Sequence, residues 1–190
     1  MFRTLLVSSL IAIATTAFGV NSLIVQHNEA LALPSGQGFF KKAPRLIRSA
    51  TNFQSRSSLA YYYFTIQIPE DAGEALKAVT IRQKTNLEEI TFFPSQTRAF
   101  FGDSFKEDLS IPLAAAESLV SQEHSENNGV KVVLEKPVES GNTVTISLRA
   151  RNPRYGGIYL FGVTAFPGGE NSQGMYLGSG RIHFITHGGR

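Results

Sequence analysis

Residues Tyr61 to Ile68 read YYYFTIQI and stop at Pro69. Tyr62, Phe64, Ile66 and Ile68 make one alternating set; Tyr61, Tyr63, Thr65 and Gln67 make the other. Successive strand side chains point to opposite faces, so this partition predicts a β-strand with one buried side. Proline lacks the N–H that a ladder needs, and the turn-rich PEDAG of residues 69–73 follows it.

The same grammar repeats outward. Val79 to Gln83, Glu89 to Phe93, Thr97 to Phe101 and Val130 to Glu135 are short β-type runs. Pro137 to Asn142 (PVESGN) reads as a hairpin-like connection to Thr143–Arg149. Ile158 to Phe166 and Gly180 to Thr186 complete the set, and Ala43 to Ile47 suits a short strand or docked tail. The helical signal is thin: Ile111 to Glu123, with its AAAE core, suggests a short helix, and Glu74 to Ala78 one further turn. Six to eight short strands punctuated by Gly and Pro predict an all-β fold. It is a single antiparallel β-sandwich, immunoglobulin-like in general architecture, with one or two short helical turns.

The N-terminus reads as a secretory signal. Arg3 precedes an apolar run from Leu5 to Val25, and Ala30-Leu31-Ala32 has the small residues that signal peptidase requires. The alternative is an uncleaved anchor, since 21 residues can cross a bilayer. Cleavage after residue 32 leaves 158 of the 190 residues as an exported chain. The expected organisation is a signal over 1–32, a basic, loosely structured segment over 33–58 and the sandwich over 59–187. The periplasm or the extracellular space is the expected location, and the thylakoid lumen is also compatible. With no cysteine, the chain has no disulfides, no thiolate nucleophile and no lipidated N-terminal Cys.

Four motifs carry a resemblance. They are YYYFTIQIPEDAGEALKAVTI (Tyr61–Ile81), ITFFPSQTRAFFG (Ile90–Gly102), RNPRYGGIYLFGVTAFPGGE (Arg151–Glu170) and LGSGRIHF (Leu177–Phe184). Together they resemble a family of exported cyanobacterial proteins catalogued only as a domain of unknown function, over most of residues 45–185. The resemblance implies a cyanobacterial source, export and one β-rich domain. It implies no activity, cofactor or catalytic residue.

Catalytic patterns are absent from the sequence. Gly178-Ser179-Gly180 is flanked by Leu177 and Arg181, where a serine-hydrolase elbow needs glycines. A dinucleotide fingerprint fails at His183, and no Walker-type loop occurs. Glu88 and Glu89 are adjacent, so on a strand they face opposite ways and cannot be a glycosidase pair. His183 and His187 would lie about 13 Å apart on a strand, too far for one metal. His124 sits in a polar turn. The acids of 103–108 lack the Gly and Glu of an EF-hand loop. No cofactor is expected.

One cluster is unusual. Arg149, Arg151 and Arg154 fall within six residues, followed by Tyr155, at a tight connection made by Pro153, Gly156 and Gly157. Arg149 and Arg151 share a strand face, so the group could clamp a carboxylate, sulfate or phosphate. A solvated loop paired with nearby acids is the plainer alternative. Tyr61, Tyr63 and Tyr155 could substitute for the missing Trp as sugar platforms.

Charge is segregated. The net +3 hides +5 over residues 33–68, −6 over 69–135 and +4 over 136–190. The expected partner is therefore the protein's own acidic segment or an acidic envelope polysaccharide or protein, not nucleic acid. A membrane is expected only through an uncleaved signal. The reading favours a non-enzymatic exported binding or structural module. An envelope enzyme or binder acting on an anionic glycan through Arg149–Tyr155, and a calcium- or metal-handling domain, are the alternatives.

Overall fold

A computed structural model describes residues 38–84, 86–103, 106–119, 128–169 and 171–185. The readings placed on 1–32, on His124 and His187, and on residues 104–105 lie outside them. In chain order the strands are β1 (Arg45–Thr51), β2 (Leu59–Gln67), β3 (Leu76–Gln83), β4 (Thr91–Phe92), β5 (Arg98–Phe101) and β6 (Ser110–Ile111). They continue with β7 (Leu113–Leu119), β8 (Gly129–Val138), β9 (Thr143–Arg151), β10 (Gly157–Pro167) and β11 (Met175–Phe184).

Two antiparallel sheets result. One has the order β1-β2-β9-β5-β6, with β4 also on β9; the other has the order β11-β10-β3-β8-β7. The fold is the expected all-β sandwich. The alternation in β2 does what its sequence requires: Ala60, Tyr62, Phe64 and Ile66 are fully buried. Opposite them stand Phe161, Val163 and Ala165 of β10 and Val79 and Ile81 of β3. The aromatic centre interlocks edge to face, Tyr62 with Phe161 at 5.6 Å and Tyr159 with Phe184 at 5.3 Å. Each such pair adds about 0.5–1.5 kcal/mol to the burial of the rings. Among the described residues the buried core runs from Phe40 to Phe184, and Leu33–Arg190 makes its contacts as one compact unit.

The helix expected over 111–123 is overturned where the structure describes it. Residues 110–111 are β6 and 113–119 are β7, which pairs with β8 from Leu113↔Leu134 to Leu119↔Gly129. Alanine's helix preference is worth only tenths of a kcal/mol per residue. Satisfying the backbone edge of the buried strand β8 outweighs it. The helical turn expected at 74–78 is likewise replaced by the start of β3. Among the described residues the helical turns are 3-10, at Pro94–Gln96 and Glu107–Leu109. The strand expected over 89–93 shrinks to Thr91–Phe92. Strand β8 runs through Pro137, past the last residue paired with β7, so the missing N–H breaks no bond on that side. Strand β1 falls inside the stretch expected to be loosely structured; it pairs with β2 from Arg45↔Gln67 to Thr51↔Tyr62. Ser49 of β1 joins the sheets, its hydroxyl donating to the Arg181 carbonyl (3.2 Å) and accepting from the Arg181 N–H (2.8 Å).

At one end of the sandwich, three loops are pinned by side chains. Asn152, 2% exposed, donates to the carbonyls of Phe53 (3.0 Å) and Ser55 (2.8 Å) and accepts from the Tyr62 hydroxyl (2.9 Å). Gln83 donates to the Glu88 carbonyl (2.7 Å) and accepts from the Ile90 N–H (2.7 Å). The Glu88 carboxylate accepts from the N–H groups of Arg154 (2.6 Å) and Tyr155 (3.2 Å). The described chain begins at the opposite end, where the Gly38 carbonyl accepts from the Gln173 N–H (3.0 Å) and the Lys41 N–H donates to the Ala72 carbonyl (2.8 Å).

Candidate functional site

On β9 the even residues Val144, Ile146, Leu148 and Ala150 are buried in the core. The odd ones therefore face outward, and antiparallel register lays them beside the outward residues of β2 and β5. Tyr61 opposes Arg149, Tyr63 opposes Ser147, and Ser147 opposes Arg98 on its other side. Arg48 of β1 opposes Thr65. Below them, Thr65 and Thr145 share a hydrogen bond of 3.0 Å, and the Thr145 hydroxyl reaches the Gly102 carbonyl at 2.7 Å. Both threonines are buried.

The guanidinium of Arg149 lies over the Tyr61 ring, 4.5 Å from its centroid. The Tyr61 and Tyr63 rings stack at 6.5 Å and 21°. Stacking leaves the edge N–H groups of Arg149 available while holding the plane in place. Burial pushes the Tyr63 hydroxyl above its ordinary pKa, and the neighbouring Tyr61 adds to the rise; Arg149 and Arg48 oppose it. Tyr61, Tyr63, Arg98, Phe100 and Ser147 line an open depression of about 420 Å³. A second, of about 330 Å³, lies between Leu59, Phe93, Gln96, Arg149 and Arg151. Arg98 has a loose ion pair with Glu107 at 3.4 Å. Among the described residues no carboxylate lies within ion-pair reach of Arg48, Arg149 or Arg151.

The four residues singled out from the sequence divide. Arg149 and Arg151 share the outward face of β9, with Arg151 Nη1 donating to the Ser57 carbonyl at 3.3 Å. Arg154 turns to Glu88, its Nε 3.2 Å from Oε1. Tyr155 projects its ring into solvent, while its carbonyl accepts from the Tyr159 hydroxyl at 3.1 Å. So Arg154 and Tyr155 are parts of a loop clamp and do not join the arginine face. Arg48 and Arg98, distant in sequence, do join it. Glu88 and Glu89 precede β4 in a loop. His183 stands on β11 opposite Ile158. Among the described residues no three His, Asp or Glu side chains are grouped to hold a metal, and no helix is long and apolar enough to cross a membrane.

The sandwich is similar to a number of solved structures, three of which illustrate the likeness. An uncharacterized protein from Nocardia farcinica with an immunoglobulin-like fold matches with a TM-score of 0.46 and 10% identity, over 73% of this chain and 97% of that one. A putative membrane anchored protein from Corynebacterium diphtheriae matches with a TM-score of 0.49 and 10% identity, over 80% of this chain but 38% of the other. The collagen binding subdomain of Enterococcus faecalis surface protein ACE matches with a TM-score of 0.41 and 4% identity, over 78% and 97%. These are likenesses of fold. No curated protein matches the sequence. A family model described as "Protein of unknown function (DUF2808)" matches residues 37–184.

Proposed function

The chain belongs to that family, which brings no activity with it, and we propose that it is a non-enzymatic binding module working outside the cytoplasm, in the envelope of a cyanobacterium. Its binding surface is the outward face of β2, β9 and β5, and its partner is an acidic polysaccharide. The carrying observation is the gathering of Arg48, Arg98, Arg149 and Arg151 around the Tyr61–Tyr63 stack, where among the described residues Glu107 alone forms an ion pair with any of them. Like charges on one face repel, and among the described residues Arg48, Arg149 and Arg151 have no carboxylate in ion-pair reach to relieve them. An anionic polymer does, accepting paired N–H bonds at its carboxylate or sulfate groups. The flat rings of Tyr61 and Tyr63 offer a surface for the apolar faces of sugar rings. The apolar signal of residues 5–25 and the AxA pattern support export.

The test is calorimetric titration of the chain from residue 33 with dextran sulfate and with polygalacturonate. Binding to at least one polymer is expected. The Arg48→Ala, Arg149→Ala double variant should weaken it by about tenfold, or about 1.4 kcal/mol, without moving the melting temperature. Binding that the double variant leaves intact refutes this surface; no binding to either polymer refutes the partner.

A further inference from the structure

The pinned loop end holds apolar side chains in water. Leu87 is 85% exposed, Phe53 and Tyr155 are each 57% exposed, and Ile158 follows at 45%. Their loops are fastened to one another. Asn152 grips the 53–55 backbone. Glu88 grips the backbone N–H groups of Arg154 and Tyr155. Asn86 donates to the Ile158 carbonyl at 2.9 Å and accepts from the N–H of Leu87 at 2.7 Å. The Ile185 N–H donates to the Gln54 carbonyl at 3.0 Å. A loop without a partner could fold such side chains back. Here the buried amides and one carboxylate hold the backbone so that they project.

The tips are convex, rising from three separate loops, and cations stand beside them. Arg56 is exposed in the first loop, Arg154 lies in the third, and Arg151 closes β9 with its Nη1 on the Ser57 carbonyl. Arg154 and Glu88 pair and cancel, which leaves Arg56 and Arg151 against Glu89 in the same loops. Apolar and aromatic tips backed by arginine are the chemistry of an anionic lipid surface. The rings and the leucine enter the headgroup–acyl boundary, and the cations stay at the phosphates. A deformable bilayer also closes around separate protrusions, which a rigid protein surface does only with matching hollows.

We infer that this end, through Phe53, Leu87 and Tyr155, docks on the surface of an anionic phospholipid bilayer. The contact adjoins the arginine–tyrosine face of β2, β9 and β5 at Arg151 but does not include Arg48, Arg98 or Arg149.

The chain has no tryptophan, so Phe53→Trp, made in the chain from residue 33, is a sole reporter. Vesicles of phosphatidylglycerol with phosphatidylcholine should shift its emission to shorter wavelength and let acyl-brominated lipid quench it. Pure phosphatidylcholine should do so more weakly. A Ser140→Trp reporter in the β8–β9 turn, at the opposite end, should not respond. Leu87→Ser added to Phe53→Trp should raise the lipid concentration for half-binding about tenfold, with the melting temperature unchanged. If Phe53→Trp disturbs folding, Leu87→Trp serves as the reporter and Tyr155→Ser as the weakening change. No shift with either vesicle overturns the inference. So does a shift abolished by Arg48→Ala, Arg149→Ala but untouched by Leu87→Ser, because the sheet face would then hold the lipid. A shift produced by envelope protein but not by vesicles also overturns it, in favour of a protein partner.

Discussion

Asn152→Ala removes one buried side chain that ties the 53–58 loop to the core. Two of its bonds go to carbonyls of exposed residues, where water replaces it, so each loses about 0.5–1 kcal/mol. The third goes to the hydroxyl of Tyr62, which is fully buried. Left without a partner there, that hydroxyl costs about 2 kcal/mol. The total is about 3–4 kcal/mol, a large share of a typical domain stability. For a domain of this length it lowers the melting temperature by about 10 °C. Urea unfolding of the chain from residue 33, followed by circular dichroism, measures it. Tyr62→Phe alone should cost about 1–2 kcal/mol by orphaning Oδ1 of Asn152. The double variant should fall short of the sum by about 2–3 kcal/mol, because neither the orphaned hydroxyl nor the orphaned Oδ1 is then present. A loss below about 1 kcal/mol, or strict additivity, would refute the pin. Asn152→Ala should also weaken vesicle docking, since the loop it releases carries Phe53 and Arg56.

Three further outcomes follow from the geometry. A Cβ on Gly180 would stand 2.8 Å from Ser49 Cβ and 3.0 Å from Phe64 Cε1, so Gly180→Ala should lose about 1–3 kcal/mol by forcing β1 from β11; an unchanged urea midpoint would mean the seam is loose. Burial, with the nearby Tyr159, pushes the Tyr62 hydroxyl far above its ordinary 10.0. The folded state therefore keeps a proton that the unfolded state gives up, so the stability from Tyr62 is complete below about pH 10 and declines above it; urea midpoints at neutral and strongly alkaline pH should show a steeper loss than in Tyr62→Phe. Glu107→Gln breaks an exposed pair and should change stability by less than about 1 kcal/mol, while tightening polyanion binding by freeing Arg98; calorimetry on both properties checks it.

Strands that bury one face could be read directly, as β2, β9 and β10 show, because the core imposes period two on their sequences. Strand β7 could not. LAAAESL contains helix-forming residues, and only the open edge of β8, a partner outside the window, makes it a strand. The arginine face was half legible for the same reason. Arg149 and Arg151 share a face by parity within one strand. Their neighbours Arg48, Tyr61 and Arg98 arrive through the pairing order of β1, β2, β9 and β5, which no local pattern encodes. Arg154 misled because proximity in sequence places it near Arg151, whereas a turn carries it to Glu88. The apolar tips carry no periodic signal. Their meaning comes from exposure, which depends on the amides buried beneath them.

The two edge strands that meet at Ser49 and Arg181 also have a mechanical consequence. Strands β1 and β11 run in the same direction, one starting near the end where the described chain begins at Gly38 and the other finishing at the far end near Ile185. Tension applied between those points drags the two strands in opposite senses along their lengths. The β1–β2 and β10–β11 ladders are then loaded in shear, with many hydrogen bonds resisting together instead of opening one by one. Forced unfolding is governed by how fast that geometry yields. The sandwich should therefore resist a pull along its strands better than one across them.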